Sequence, residues 1–173
     1  MKIKKATEGI VLFFFLMVGT EVESQTSGNI NVSFTNRAMF SLEMDRSEVS
    51  FGLVAPEQAG PKEISGAVVA KVRSNTKWVL TAIANDDLRS TDNLANFIPI
   101  QQLEFKPQAL SSEIDYQNIY RPFSKTEPTV VASGNPTPDE GVKIISDYRL
   151  RIAWQNAAGN YSVLITYSLS AVP

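Results

Sequence analysis

The chain has 173 residues, 43% hydrophobic and 20% charged, the balance of one globular domain with a real core and not of a disordered chain. Its net charge is −2 with both signs mixed, which gives no basic face for nucleic acid. It contains neither Cys nor His, which excludes a disulfide framework, the usual general base and the usual metal ligand together.

The first segment reads as an export signal. Lys2, Lys4 and Lys5 precede an apolar run over residues 10–18 (IVLFFFLMV), too short to span a bilayer and of signal-peptide length. Val22-Glu23-Ser24 places cleavage after Ser24. The expected domains are therefore a signal peptide over residues 1–24 and a single β-sandwich over residues 25–173. An uncleaved anchor or a buried strand is the alternative for residues 10–18. No later apolar run reaches transmembrane length, so the processed chain is expected to have no transmembrane segment and to meet any surface non-covalently. The expected location is secreted and associated with the cell surface.

Strand signals follow in order. Residues 31–34 and 40–44 are short candidates, and Val49, Phe51 and Leu53 alternate in a third. Asn29 to Phe34 is open to two roles, a first strand or a strand donated to a neighbour. Residues 56–60 are a Pro/Gly turn cluster. Residues 67–73 are rich in β-branched side chains, and residues 78–84 answer them across a turn at 74–77. Residues 85–93 are polar and read as a loop, and 97–106 resume an extended pattern. Pro99 lacks a ladder donor and belongs at an edge or a strand start. Residues 107–128 have no clean period but carry Tyr116, Tyr120 and Phe123. Residues 129–132 are a short strand, and 133–141 a turn-rich loop.

The last stretch has the clearest pattern. Tyr148, Leu150, Ile152 and Trp154 alternate with Asp147, Arg149, Arg151 and Ala153, and after a polar turn Tyr161, Val163, Ile165, Tyr167 and Leu169 alternate again. Period two puts one set on each face, so a hairpin packed on one side is predicted. Eight or nine such strands predict an all-β fold, an antiparallel β-sandwich of immunoglobulin-like or jelly-roll-like type.

No catalytic constellation is visible. The acid pairs Asp86-Asp87, Glu113-Asp115 and Asp139-Glu140 lie in polar loops, where carboxylates are ordinarily solvated. Paired carboxylates can hydrolyse glycosides, and clustered oxygens can hold Ca²⁺, but no DxDxDG spacing occurs. The protein is expected not to be an enzyme and to need no cofactor or metal. Trp78 and Trp154 are expected in or at the edge of the core, each indole N–H near a polar partner. Trp78 has a second possible use, on a recognition surface. Tyr116, Tyr120 and Phe123 also have two possible uses, covering an open end of the sandwich or stacking on a ligand.

Trp78-Val79-Leu80, set in SNTKWVLTAIA, resembles the first Trp-x-Leu motif of the WxL surface domain of Gram-positive bacteria. Ala158-Gly159-Asn160-Tyr161, followed by Leu164 to Leu169, is similar to that family's C-terminal pattern, with Tyr167 where the second motif has Trp. Residues 96–103 resemble its linking region. The resemblance implies an exported sandwich held non-covalently on cell-wall polysaccharide or peptidoglycan, or on another surface protein. It implies binding roles for Trp78, Leu80, Tyr167 and Leu169. The alternation itself points those four side chains inward. A pilus- or coat-type structural subunit is the second expectation.

Overall fold

The computed structural model describes residues 31–56 and 60–172. The expected signal peptide and its cleavage site lie outside them. Among the described residues no helix is long and apolar enough to cross a membrane. All the described strands fall within the unit Asn36–Pro173. Residues 31–35, which belong to the preceding unit, carry no regular secondary structure, so the strand expected at 31–34 is not formed.

The strands are β1 (Phe40–Met44), β2 (Lys62–Ser74), β3 (Trp78–Ala84), β4 (Leu88–Ser90), β5 (Phe97–Ile98) and β6 (Leu103–Ala109). They continue as β7 (Ile114–Asp115), β8 (Arg121–Pro122), β9 (Thr129–Gly134), β10 (Val142–Leu150), β11 (Tyr161–Ser162) and β12 (Ile165–Ala171). One 3₁₀ turn, Ile100–Gln102, follows Pro99. The fold is all-β, with three antiparallel sheets in the orders β1-β2-β10-β6-β8, β12-β3-β9-β7 and β11-β4-β5. The first two close on one apolar core in a sandwich-like arrangement. Val72, Phe105 and Ile144 come from one sheet, and Trp78, Leu80 and Ala132 from the other.

The alternating patterns assign faces correctly and partners less well. Along β3, Trp78, Leu80, Ala82 and Ala84 are buried while Val79, Thr81 and Ile83 are not. Along β12, Ile165, Tyr167 and Leu169 point inward and Thr166, Ser168 and Ser170 outward. The predicted terminal hairpin, however, does not exist. β10 lies between β2 and β6, whereas β12 pairs with β3 in the other sheet. Between them β11 pairs with β4, inside the stretch expected to be a loop. Alternation tells which side of a strand is greasy and nothing about the neighbour it hydrogen-bonds. The two strands meet instead through side chains across the core, where the Tyr148 and Tyr167 hydroxyls lie 2.7 Å apart.

Other expectations are corrected too. Trp154 is 72% exposed and not a core residue. β10 ends at Leu150, and residues 153–156 close a turn in which Asn156 Oδ1 accepts the Ala153 N–H at 2.8 Å. Val49 and Phe51 pack on the core without joining a sheet, and Leu53 is exposed.

A bulge shapes the long strand β2. Its register against β10 shifts between Ser146 and Tyr148, and Gly66 sits there at φ 58°. That backbone region favours glycine. The Gly66 N–H, freed from the ladder, donates to Asp147 Oδ1 at 2.8 Å.

Candidate functional site

The residues singled out in the sequence do not form one site. Trp78, Leu80 and Phe123 are all at most 1% exposed. Trp78 donates its indole N–H to the Asn135 carbonyl at 2.8 Å. Phe123 stacks at a tilt on Phe105 at 4.7 Å and meets Tyr148 edge-on at 5.4 Å. These three side chains hold the sheets together, and no ligand reaches them in this state.

Tyr116 and Tyr120 are half-buried on opposite tasks. The Tyr116 hydroxyl donates to the Ala109 carbonyl at 3.3 Å. Tyr120 lies over the outer face of the five-stranded sheet, with Arg149 at 4.0 Å and Lys106 at 4.9 Å from its ring centre. Such cation–π contacts hold the ring down on the sheet. Burial, helped by the charges of Glu63 and Asp147, pushes its hydroxyl up to about 12. Arg149 also pairs with Glu104.

Two acids expected on solvated loops or polar faces prove buried and structural. Asp147 is 6% exposed. Besides the Gly66 N–H it accepts from Gln108 Nε2 at 2.6 Å and pairs with Lys106 at 3.1 Å. Asp87 is 7% exposed; it pairs with Lys125 at 2.6 Å and accepts the Ile100 N–H at 3.0 Å.

Asp86 and Asp87 border an open depression of about 400 Å³ lined also by Asn85, Arg89, Ser162, Val163 and Leu164. Both carboxyls are committed to cations. The Arg89 guanidinium holds Asp86 below the usual carboxylate range. Burial opposes the charge on Asp87, but Lys125 and the Ile100 N–H outweigh it and hold that carboxyl low as well. A glycosidase acid needs the reverse, a carboxyl raised so that it stays protonated. Glu113, Asp115, Asp139 and Glu140 are exposed in loops or at a strand end.

The lowered carboxyl of Asp87 has a consequence with a definite sign. A group whose folded value lies below its unfolded value adds stability above the unfolded value and loses it as pH falls through the folded one. Asp87→Asn is therefore expected to lower the melting temperature at neutral pH and to narrow its difference from wild type below about pH 4. Thermal melts from acid to neutral pH check this.

Tyr167 and Leu169, unlike Trp78 and Leu80 of the matching motif, are only half-covered. They sit on β12, an edge strand, which lies beside β1, the edge strand of the other sheet. β1 turns Phe40, Leu42 and Met44 inward, opposite Ser74, Val72 and Ala70. Yet Phe40 and Met44 are 38% and 36% exposed, although Val72 and Ala70 beside them are buried. Ile165, Tyr167 and Leu169 are likewise only half-covered, against buried Ala84, Ala82 and Leu80. The sandwich is thus open along one side, in a seam with apolar walls from both sheets. Inside it, burial pushes the Tyr167 hydroxyl up to about 12 and the Tyr148 hydroxyl further. The neutral pair shares one hydrogen bond across the core, a use for a phenol that an indole at position 167 would not serve in the same way.

Among the described residues, no strand but β3 pairs with the backbone of this edge. The Val172 N–H donates to the Lys77 carbonyl, and the Asn85 N–H to the Leu164 carbonyl. In an antiparallel pair bonded and open residues alternate, so the N–H and C=O groups of Ile165, Tyr167, Leu169 and Ala171 face away from β3. The sequence matches no family model and no curated protein.

Proposed function

We propose that this is an exported interaction domain that holds non-covalently to the cell surface and works by adhesion, not catalysis. The reading includes processing of residues 1–24 as a signal peptide and a sandwich of immunoglobulin-like or jelly-roll-like type. The observation that carries it is the open seam between β1 and β12, where half-covered apolar side chains adjoin an unpaired strand edge. Exposed edges of this kind bind extended peptide by strand addition. That favours a surface protein as the partner over cell-wall polysaccharide. The deep burial of Trp78 and Leu80 supports the same choice, because their rings and branches are spent on the fold. The engaged state of Asp86 and Asp87 agrees with a non-enzymatic role.

The test is retention of purified protein on insoluble cell wall and on surface-protein fractions. A Ser168→Lys/Ser170→Lys variant serves as comparison. Both serines are exposed, and edge lysines oppose strand addition. Wild type is expected to be retained on the protein fraction and the variant lost at unchanged melting temperature. A folded wild type retained by neither material defeats the reading.

The second reading, a pilus- or coat-type structural subunit, is favoured by one specific feature. Val32 and Phe34, ahead of β1, are 81% and 89% exposed.

A further inference from the structure

We infer that the seam accepts residues 31–35 of a second copy of this chain, as a strand added along β12. The inference rests on the strand-addition seam described above and, by naming a second copy as the partner, deepens the structural-subunit reading. Residues 31–35 (NVSFT) alternate polar and apolar, the pattern of a strand that buries one face. All five residues are exposed, and none pairs with a described strand. A phenylalanine and a valine held in water two positions apart are an apolar face lacking its surface. The seam is an apolar surface lacking its cover.

The two parts match in chemistry. Residues 31–35 carry no charge, and neither does β12 (ITYSLSA). β12 also lacks three of the devices that guard an edge: it has no lysine, no proline and no bulge against β3. β1, by contrast, carries Glu43 on its outer face. A strand laid along β12 would meet the free N–H and C=O groups of Ile165, Tyr167, Leu169 and Ala171 with its own. With Val32 and Phe34 turned inward, it would cover Tyr167 and Leu169 on one side and Phe40, Leu42 and Met44 on the other.

The chain also holds the root of the segment in place. Asn75, in the turn between β2 and β3, accepts the Met39 N–H at 2.8 Å and donates to the Arg37 carbonyl at 2.8 Å. The stretch from Arg37 to Met39 is therefore anchored at the end of the β1–β2 pair. Donation from one copy to the next is a head-to-tail contact, which extends into rings or filaments.

The test compares wild type with V32D/F34D, whose altered positions are exposed, by sedimentation from about 1 to 100 µM. Wild type is expected to form multimers that grow with concentration, and V32D/F34D to stay monomeric at the same melting temperature. A labelled peptide of residues 30–36 is expected to bind V32D/F34D, and a scrambled peptide not. A wild type that stays monomeric throughout, a double variant that multimerises like it, or a peptide that fails to bind each overturns the inference. The adhesive reading is judged separately. If V32D/F34D is still retained on the surface-protein fraction while wild type is monomeric, the partner is another protein, and only the self-donation fails.

Discussion

Trp78→Ala is expected to destabilise the protein by about 3–5 kcal/mol, the cost of emptying a large buried aromatic site. Trp78 opens β3, the strand between β12 and β9, and is 1% exposed. Its indole lies against Gly134, on which an added Cβ would stand 2.8 Å from the ring. The ring thus occupies space that only a glycine leaves, and alanine at 78 would leave a cavity that the two strands cannot close. The N–H bond to Asn135 is the smaller part, because Asn135 is exposed and its carbonyl can turn to water. Trp78→Phe should accordingly cost less than Trp78→Ala. Gly134→Ala should destabilise from the opposite side, by overpacking. Denaturant unfolding of the three variants checks the order. A midpoint for Trp78→Ala equal to wild type would place the indole on the surface and reopen a direct binding role for it.

Asp147→Ala is expected to cost roughly 3 kcal/mol, the range for breaking a buried charge pair. The carboxylate has three tasks. It accepts the Gly66 N–H stranded by the bulge, accepts from Gln108 Nε2 and pairs with Lys106. Alanine leaves a backbone donor and an ammonium without their acceptor. Lys106 is 26% exposed, so part of its charge finds water, which keeps the cost at the low end of that range. Asp147→Asn discriminates further. Its oxygen can still accept from Gly66, but its amide hydrogens then face two other donors, so the isostere should recover only part of the loss. Equal stability of Asp147→Ala and wild type, measured by denaturant unfolding near neutral pH, would show that the bulge closes without the carboxylate.

The candidate site was legible only in pieces. Tyr167 and Leu169 drew attention through a motif resemblance, which pointed to a ligand on the motif side chains. The structure puts Trp78 and Leu80 of the matching motif in the core, and what remains open beside Tyr167 and Leu169 is a strand edge. An edge has no residue signature, because being last in a sheet is a property of which strand failed to find a neighbour. Residues 31–34 did carry a signal, the alternation of Val32 and Phe34. That pattern states that a face seeks burial, without stating in which molecule.

By itself, the sequence determined the class of structure and the inner face of its clearest strands. β1 and β3 run over the predicted residues, and the inward sides of β3 and β12 are those the alternation marked. This follows from strand geometry, since a period of two is fixed by the local backbone and is written in adjacent residues. Tertiary structure alone decided that β10 and β12 belong to different sheets, that Asp87 and Asp147 are buried, and that Trp154 is not. Strand pairing depends on loop paths and on contacts distant in the chain. The burial of an acid depends on a cation or N–H that another strand supplies, as Lys125 and Ile100 do for Asp87.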